Sequence, residues 1–342
     1  MNTDAGPVSV AIVGLGRAGW RRHLQPLSQH SGFRIVAVAD PLPERCAEAS
    51  ALTGCRGFSS IDALLQGGDS EVVVVATPSS SHTSDAEKVL NSGRHCVVEK
   101  PMAGSFAEAG RLLALARQRD RKLFVNHSML HQPEYHHLRN VLDSGALGPL
   151  FDLRFFSGSY ARRWDWQTLK KNGGGLLNNE GTHVLSVVLP LLGARVTAVS
   201  SDLRHIKDAG DAEDHVHLVL KTDQGVSADV LLSTAIALEA PRWMLCGKYG
   251  TLVSDGTRSH LRRYDPAKAA PLFVLDAAAP NREYLKETLP WEEQEMAVEP
   301  PPVATFYENV YDVLRRGGPQ VVTPEGAVNV MRVLELARQS LP

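Results

Sequence analysis

The chain has 342 residues, 43% of them hydrophobic, which suits two packed domains better than one. Lys and Arg total 36 against 38 for Asp and Glu, a net charge of -2 with no basic run, so a nucleic-acid partner is not expected. The 4 cysteines (Cys46, Cys55, Cys96, Cys246) lack ligand-like spacing, and MNTDAGPVSV lacks the regions of a signal peptide; a reducing cytoplasm and no metal are expected.

From the N-terminus, β-branched runs alternate with helical patterns, the signature of a parallel sheet with crossover helices. VSVAIVG, FRIVAVAD, EVVVVATP, RHCVVEKP and KLFVNH read as strands, and residues 17–29, 43–52, 82–91 and 106–118 as helices. Ser105 with Glu108 is a capping box for the last helix, and Gly93 is placed to close the one before it. The continuous apolar run in EVVVVATP implies burial on both faces, as in a doubly wound sheet. After about Asn126 the alternation breaks down, dividing the chain into residues 1–126 and 127–342. Residues 133–142 form a proline-opened helix, and LFDLRFF, AVSSDLRHI, HVHLVLKT and VSADVLLST read as strands of a mostly antiparallel sheet. The most apolar long stretch, residues 183–200, is interrupted by Pro190, Gly193 and Arg195, so no membrane span is expected. Residues 277–302 read as a loop or extended excursion, and Thr323-Pro324-Glu325 opens a final amphipathic helix ending near Gln339. The fold class is therefore α/β: a Rossmann-type parallel sheet followed by an α+β domain with an open, mostly antiparallel sheet.

The first strand runs directly into Gly14-Leu15-Gly16-Arg17-Ala18-Gly19. In a GxGxxG turn the first glycine permits the bend and the second lets backbone approach a pyrophosphate. The third lets helix and strand pack closely, and the helix N-terminus offers free N–H groups. Asp40 closes the second strand at the distance expected of a residue that hydrogen-bonds the adenosine ribose. A 2′-phosphate beside that carboxylate is a like-charge contact, so NAD is favoured over NADP, with Arg45 the nearby residue able to turn toward a phosphate.

Taken with GLGRAG, the segments VVATPSSSH, Glu99-Lys100-Pro101, DSGALG and GGGLLNNEGTH give a chain that resembles the Gfo/Idh/MocA oxidoreductases, which include glucose-fructose oxidoreductase and inositol dehydrogenase. The resemblance implies that Lys100 lies close to the nicotinamide and the substrate hydroxyl, and that Thr77, Pro78, His82 and Glu99 border the cofactor. It also pairs Asn179 with His183, four residues apart, where the family usually has Asp and His. On a helix starting near Leu177 the two share a face. His183 is then the candidate base, since neutral imidazole accepts a hydroxyl proton near working pH. Asn179 orients it less strongly than a carboxylate would, and Glu180 is expected to point elsewhere. Relatives often carry an arginine where Leu130 stands, which leaves substrate preference open. His127 and His131 are either pocket residues or interior hydrogen-bonders.

The stretch Tyr160-Ala161-Arg162-Arg163-Trp164-Asp165-Trp166 combines aromatic and charged groups suited to sugar C–H patches and hydroxyls, making Arg163, Trp164 and Trp166 candidate substrate contacts; an oligomer contact would favour the same residues. His215 and His217 share a strand face without a complete ligand set, which reads as a polar face or subunit interface. No GxSxG elbow or P-loop supports a hydrolase or NTPase. The expected function is NAD-dependent hydride transfer to or from a sugar- or polyol-like substrate by a homodimer or homotetramer. The alternatives are redox-neutral glycoside processing on a retained NAD, and a dinucleotide-sensing regulator without turnover.

Overall fold

The computed structural model describes residues 6–207, 209–274, 276, 286–299 and 305–340. Its first sheet has six parallel strands in the order β3-β2-β1-β4-β5-β6. These are β1 (Val8–Val13), β2 (Phe33–Ala39), β3 (Arg56–Phe58), β4 (Val72–Val75), β5 (His95–Val98) and β6 (Leu123–Val125). The order reverses between β1 and β4, which opens a crevice at the carboxyl ends of the strands. All of β4 is buried, Val73 and Val75 packing into one apolar cluster and Val72 and Val74 into the other, so both faces of this sheet are covered.

The helical reading of residues 17–29 resolves into a π-helical turn, Gly19–Leu24, that runs into α1 (Gln25–Gln29). There follow α2 (Pro43–Thr53), α3 (Ile61–Gly67), α4 (His82–Asn91) and α5 (Phe106–Gln118). The strand β3 and helix α3 were not foreseen, because three residues containing a glycine and a seven-residue helix carry too little periodicity. Gly93, at φ 78°, ends α4 in the left-handed region as expected. At the start of α5 the Ser105 hydroxyl accepts from the Glu108 N–H at 3.2 Å. The reciprocal bond of a capping box is diverted, since the Glu108 carboxylate accepts instead from Gly104 N (2.9 Å) and Thr83 Oγ1 (3.0 Å).

The second sheet has eight strands in the order β14-β13-β12-β11-β7-β10-β9-β8. They are β7 (Leu150–Gly158), β8 (Val196–Arg204), β9 (His215–Thr222), β10 (Ser227–Ser233), β11 (Trp243–Gly247), β12 (Gly250–Ser254), β13 (Arg258–Tyr264) and β14 (Trp291–Ala297). Every pairing is antiparallel except β7 with β10. The presumed excursion over residues 277–302 thus contains a strand, while 277–285 and 300–302 lie outside the described residues. WEEQEMA has no apolar alternation to announce it; a backbone ladder pairs it with β13, flanked by the exposed cross-strand ion pairs Arg263–Glu292 (3.1 Å) and Arg262–Glu293 (3.3 Å).

Helices α6 (Pro133–Asp143), α7 (Thr182–Leu192) and α9 (Pro324–Gln339) cover the inner face, and α9 packs against both α5 and β8. Helix α7 is buried along its length apart from Pro190, the pattern of a core helix. Among the described residues no helix is long and apolar enough to cross a membrane. One apolar cluster therefore runs from Val75 and Leu112 through Val188 and Leu334 to Leu232 and Trp243, joining the two sheets. Helix α8 (Phe306–Tyr311) and the π-helical turn Asp312–Arg316 return to the first sheet, where Tyr307, Val310 and Val313 join the cluster of Val10, Ile12 and Val74.

Candidate functional site

The crevice at the β1/β4 reversal is a cavity of about 1120 Å³ between the glycine loop and the chain around Asn179. Gly14 sits at φ 89°, and a Cβ there would lie 2.5 Å from Ala76 O; one on Gly19 would lie 1.8 Å from Gly14 O. These two positions exclude a side chain for packing reasons. Gly16 differs: a Cβ there meets nothing within 4 Å, because it faces the open crevice beside Arg17 and Ala18. Leu15 is buried, and its N–H donates to Asp40 Oδ2 at 2.8 Å. Asp40, itself 4% exposed, also accepts from Leu42 N at 3.0 Å, with Arg45 Nη1 at 3.4 Å. The loop, its open glycine position and the fixed carboxylate fit a dinucleotide: room for a pyrophosphate at Gly16, an acceptor for ribose hydroxyls at Asp40.

Thr77 and Pro78 follow β4 and line the crevice, but the Thr77 hydroxyl donates to Asp85 at 2.7 Å. His82 is buried, its ring nitrogens 2.6 Å from Pro101 O and 2.9 Å from Thr77 O. It therefore ties the ends of β4 and β5 together, and its ring nitrogens are occupied by protein carbonyls rather than turned to the crevice.

Glu99 and Lys100 follow β5 in opposite roles. The Glu99 carboxylate turns inward and accepts from Asn126 Nδ2 (2.8 Å) and Lys100 N (3.1 Å) and bonds His23 Nε2 (3.0 Å). His23 in turn bonds the Tyr307 hydroxyl at 2.5 Å through Nδ1. Burial alone would raise the Glu99 carboxyl, but the His23 and Asn126 bonds and the Lys100 charge more than offset it and hold it far below the usual range. Lys100 reaches across the crevice, and its Nζ donates to the backbone carbonyl of Asn179 at 2.7 Å. Burial lowers its pKa, opposed by Glu99 and Glu180.

Asn179 and Glu180 lie in a π-helical turn, Leu177–Gly181, that runs straight into α7. Gly173 (φ 69°) and Gly175 (φ 106°) bend the chain into that turn. The wider turn brings Asn179, Glu180 and His183 all to the crevice, so Glu180 does not point away. Asn179 contributes its carbonyl to Lys100 rather than a side-chain bond to His183. Among the described residues, His183 Nδ1 is buried without a hydrogen-bond partner. Burial first, then the charges of Lys100 and Arg22, push the His183 pKa well below its ordinary value, and burial takes His127 down to about 4. The site thus holds a neutral imidazole beside a cationic amine, a pair able to take or give a proton at a substrate oxygen and to steady charge on that oxygen.

Arg163 and Trp166 border the crevice, whereas Trp164, 84% exposed, faces a neighbouring cavity. His215 bonds Ser233 and His217 bonds Asp229, and among the described residues no three His, Cys, Asp or Glu are grouped to hold a metal. His23, Asn126 and Tyr307 were missed by sequence reasoning: none sits in a motif, and His23 and Tyr307 are 284 positions apart.

Residues 8–127 match the family model described as oxidoreductase family, NAD-binding Rossmann fold, and residues 135–253 match the GFO/IDH/MocA C-terminal domain. The chain is 29% identical over 336 residues to a dTDP-3,4-didehydro-2,6-dideoxy-alpha-D-glucose 3-reductase of Streptomyces violaceoruber, covering 96% of this chain and 92% of that one. It is 26% identical over 283 residues to a scyllo-inositol 2-dehydrogenase (NADP(+)) of Bacillus subtilis, covering 79% and 76%. Among solved structures, an oxidoreductase from Agrobacterium radiobacter in complex with NAD+, L-tartaric acid and magnesium superposes with a TM-score of 0.80 at 20% identity, over 97% of this chain and 96% of that one. A likeness at that identity speaks for the fold.

Proposed function

Because the chain belongs to the GFO/IDH/MocA oxidoreductase family, we propose that it moves hydride between a nicotinamide and a hydroxyl or keto carbon of a sugar or polyol derivative, with Lys100 and His183 as its catalytic pair. The observation that carries this reading is the pairing of a buried, neutral His183 with the Lys100 ammonium in the crevice below the glycine loop. The cofactor, when bound, supplies the hydride acceptor or donor. Gly14 to Gly19 and Asp40 hold it, with Thr77, Pro78 and His82 shaping its border. His183 takes the hydroxyl proton in oxidation and returns it in reduction, and Lys100 stabilises negative charge on the same oxygen. Asn179 fixes Lys100 through its carbonyl, while Arg163 and Trp166 stand on the substrate side.

NAD is the preferred cofactor, because the fixed, buried Asp40 meets a 2′-phosphate with like charge. The partly exposed Arg45 beside it is a group that would favour NADP. We assign cofactor binding to residues 1–126 and substrate binding and self-association, as a homodimer or homotetramer, to residues 127–342; α8 is lent back to the first sheet. Four free cysteines suit a reducing cytoplasm.

The test is absorbance of reduced nicotinamide with purified protein, NAD and a panel of sugars, inositols and sugar nucleotides. Lys100→Ala should lower kcat by about 10² to 10⁴-fold with NAD binding retained. Turnover unaffected by that substitution would remove Lys100 from the chemistry, and silence across the panel despite NAD binding would favour a redox-neutral reaction. In the same assay wild-type kcat/KM should be higher with NAD than with NADP, and Asp40→Ala should narrow the gap.

A further inference from the structure

The Lys100 ammonium is met by charged or titratable groups from several elements. Glu99 is its neighbour at the end of β5, and Glu180 acts on it from the π-helical turn Leu177–Gly181. Arg22 acts on it from the π-helical turn after the glycine loop, and the rings of His127, beyond β6, and His183, on α7, lie within range of its charge. Burial lowers the Lys100 pKa, Glu99 and then Glu180 raise it, and Arg22 lowers it. Arg22 and Glu180 both line the crevice, and among the described residues neither makes a hydrogen bond or an ion pair.

That separates Glu180 from the other carboxylates on the crevice, each of which is fixed by named partners. Asp40 accepts from Leu15 N and Leu42 N, Asp85 from Thr77 Oγ1, and Asp165 is forked onto Arg163. Glu99 is bonded by Asn126, His23 and the Lys100 N–H, none of them the Lys100 Nζ. Asn179 offers Nζ a backbone carbonyl, an acceptor without net charge. The π-helical turn brings the Glu180 side chain to the same crevice as Asn179 and His183, at an exposed position where a substitution changes charge without opening the core. A protonated Lys100 is what steadies negative charge on a reacting oxygen, and Arg22 works against that protonation.

We propose that Glu180 is a positioning residue for Lys100, its carboxylate being the crevice-side counter-charge that offsets Arg22 and keeps the Lys100 ammonium charged. The proposal rests on the hydride-transfer reading for the use made of that ammonium, but it is decided without turnover. The Lys100 titration is followed by NMR of the protein labelled with carbon-13 at the lysine ε-carbons, the Lys100 signal being the one missing from Lys100→Arg. Glu180→Gln should lower its midpoint by about half a pH unit or more, because an opposite charge is removed. Arg22→Gln should raise it by about the same amount, and Glu180→Asp, which keeps the charge, should hold it within about 0.2 unit of the wild type. Melting temperatures should match the wild type in all three variants. A midpoint that stays in place or rises in Glu180→Gln overturns the proposal. So does one that falls as far in Glu180→Asp as in Glu180→Gln, since the effect would then not be one of charge. If the midpoint falls as expected while the sugar panel is silent, the hydride-transfer reading fails and the counter-charge stands. If sugars turn over in a Lys100-dependent way and the midpoint ignores Glu180, the reverse holds.

Discussion

The two walls of the crevice are built from different materials. The cofactor wall is backbone: a glycine loop whose shape is set by steric contacts and a carboxylate pinned by two amide N–H groups. The substrate wall is side chain on an irregular support, with Lys100 and His183 held around a π-helical turn and little hydrogen bonding of their own. A backbone site works with whatever residues satisfy its sterics, so it recurs as a motif. A side-chain site depends on burial and neighbours, and its chemistry is set by electrostatics that no short motif encodes.

The sharpest break between the walls lies within the glycine loop. Gly19→Ala places a methyl 1.8 Å from Gly14 O, backbone against backbone, with no flexible atom to yield. We expect a loss of about 3 kcal/mol or more in unfolding free energy, together with loss of NAD binding. Gly16→Ala meets nothing within 4 Å and should melt like the wild type, while NAD affinity falls about tenfold because the methyl occupies the pyrophosphate's approach. Thermal melts and NAD titrations of the pair decide it. A destabilised Gly16→Ala protein would mean that the position serves packing and not the ligand.

The buried imidazoles at and behind the substrate wall should show themselves in pH dependence. His127 is buried and its pKa falls to about 4, from an ordinary value of 6.5. Between those two values the unfolded chain binds the extra proton and the folded one does not, so folding stability falls as pH falls through this window. The full span corresponds to about 3 kcal/mol. His183, lowered in the same direction, adds to the loss. Glu99 acts at lower pH: its folded carboxyl is depressed, so its contribution is complete above the ordinary value of 4.5 and disappears as acid protonates it. Urea midpoints between pH 7 and pH 4 should therefore fall more steeply for the wild type than for His127→Gln. Equal slopes would show that His127 is not buried as a neutral ring.

The same contrast explains what the sequence made legible. The parallel sheet and the glycine turn were readable, because strand burial and turn sterics impose local patterns, and so was the position of Asp40 and Lys100 at strand ends that border the crevice. Strand β14 was not, since its backbone ladder with β13 carries exposed cross-strand ion pairs in place of an apolar alternation. The parallel pairing of β7 with β10 joins segments more than 60 residues apart and leaves no local trace. The His23–Tyr307 bond depends on the C-terminal segment returning to the first sheet, which nothing in FYENVY announces. Glu180 was misjudged because ordinary helical spacing was assumed where the chain makes a π-helical turn.

That turn also supplies the finest test of the substrate wall. Asn179 holds Lys100 through its carbonyl, which a change of side chain leaves in place. Asn179→Asp should therefore fold normally while adding a negative charge near His183 and Lys100. If His183 accepts the proton, stabilising its protonated form raises its pKa and moves the acid limb of the kcat/KM profile upward by up to about 1 pH unit. The direction matters more than the size: burial and the Lys100 charge keep His183 neutral, and a carboxylate opposes both. An unmoved acid limb would make Lys100 the proton acceptor and leave His183 a neutral wall of the pocket.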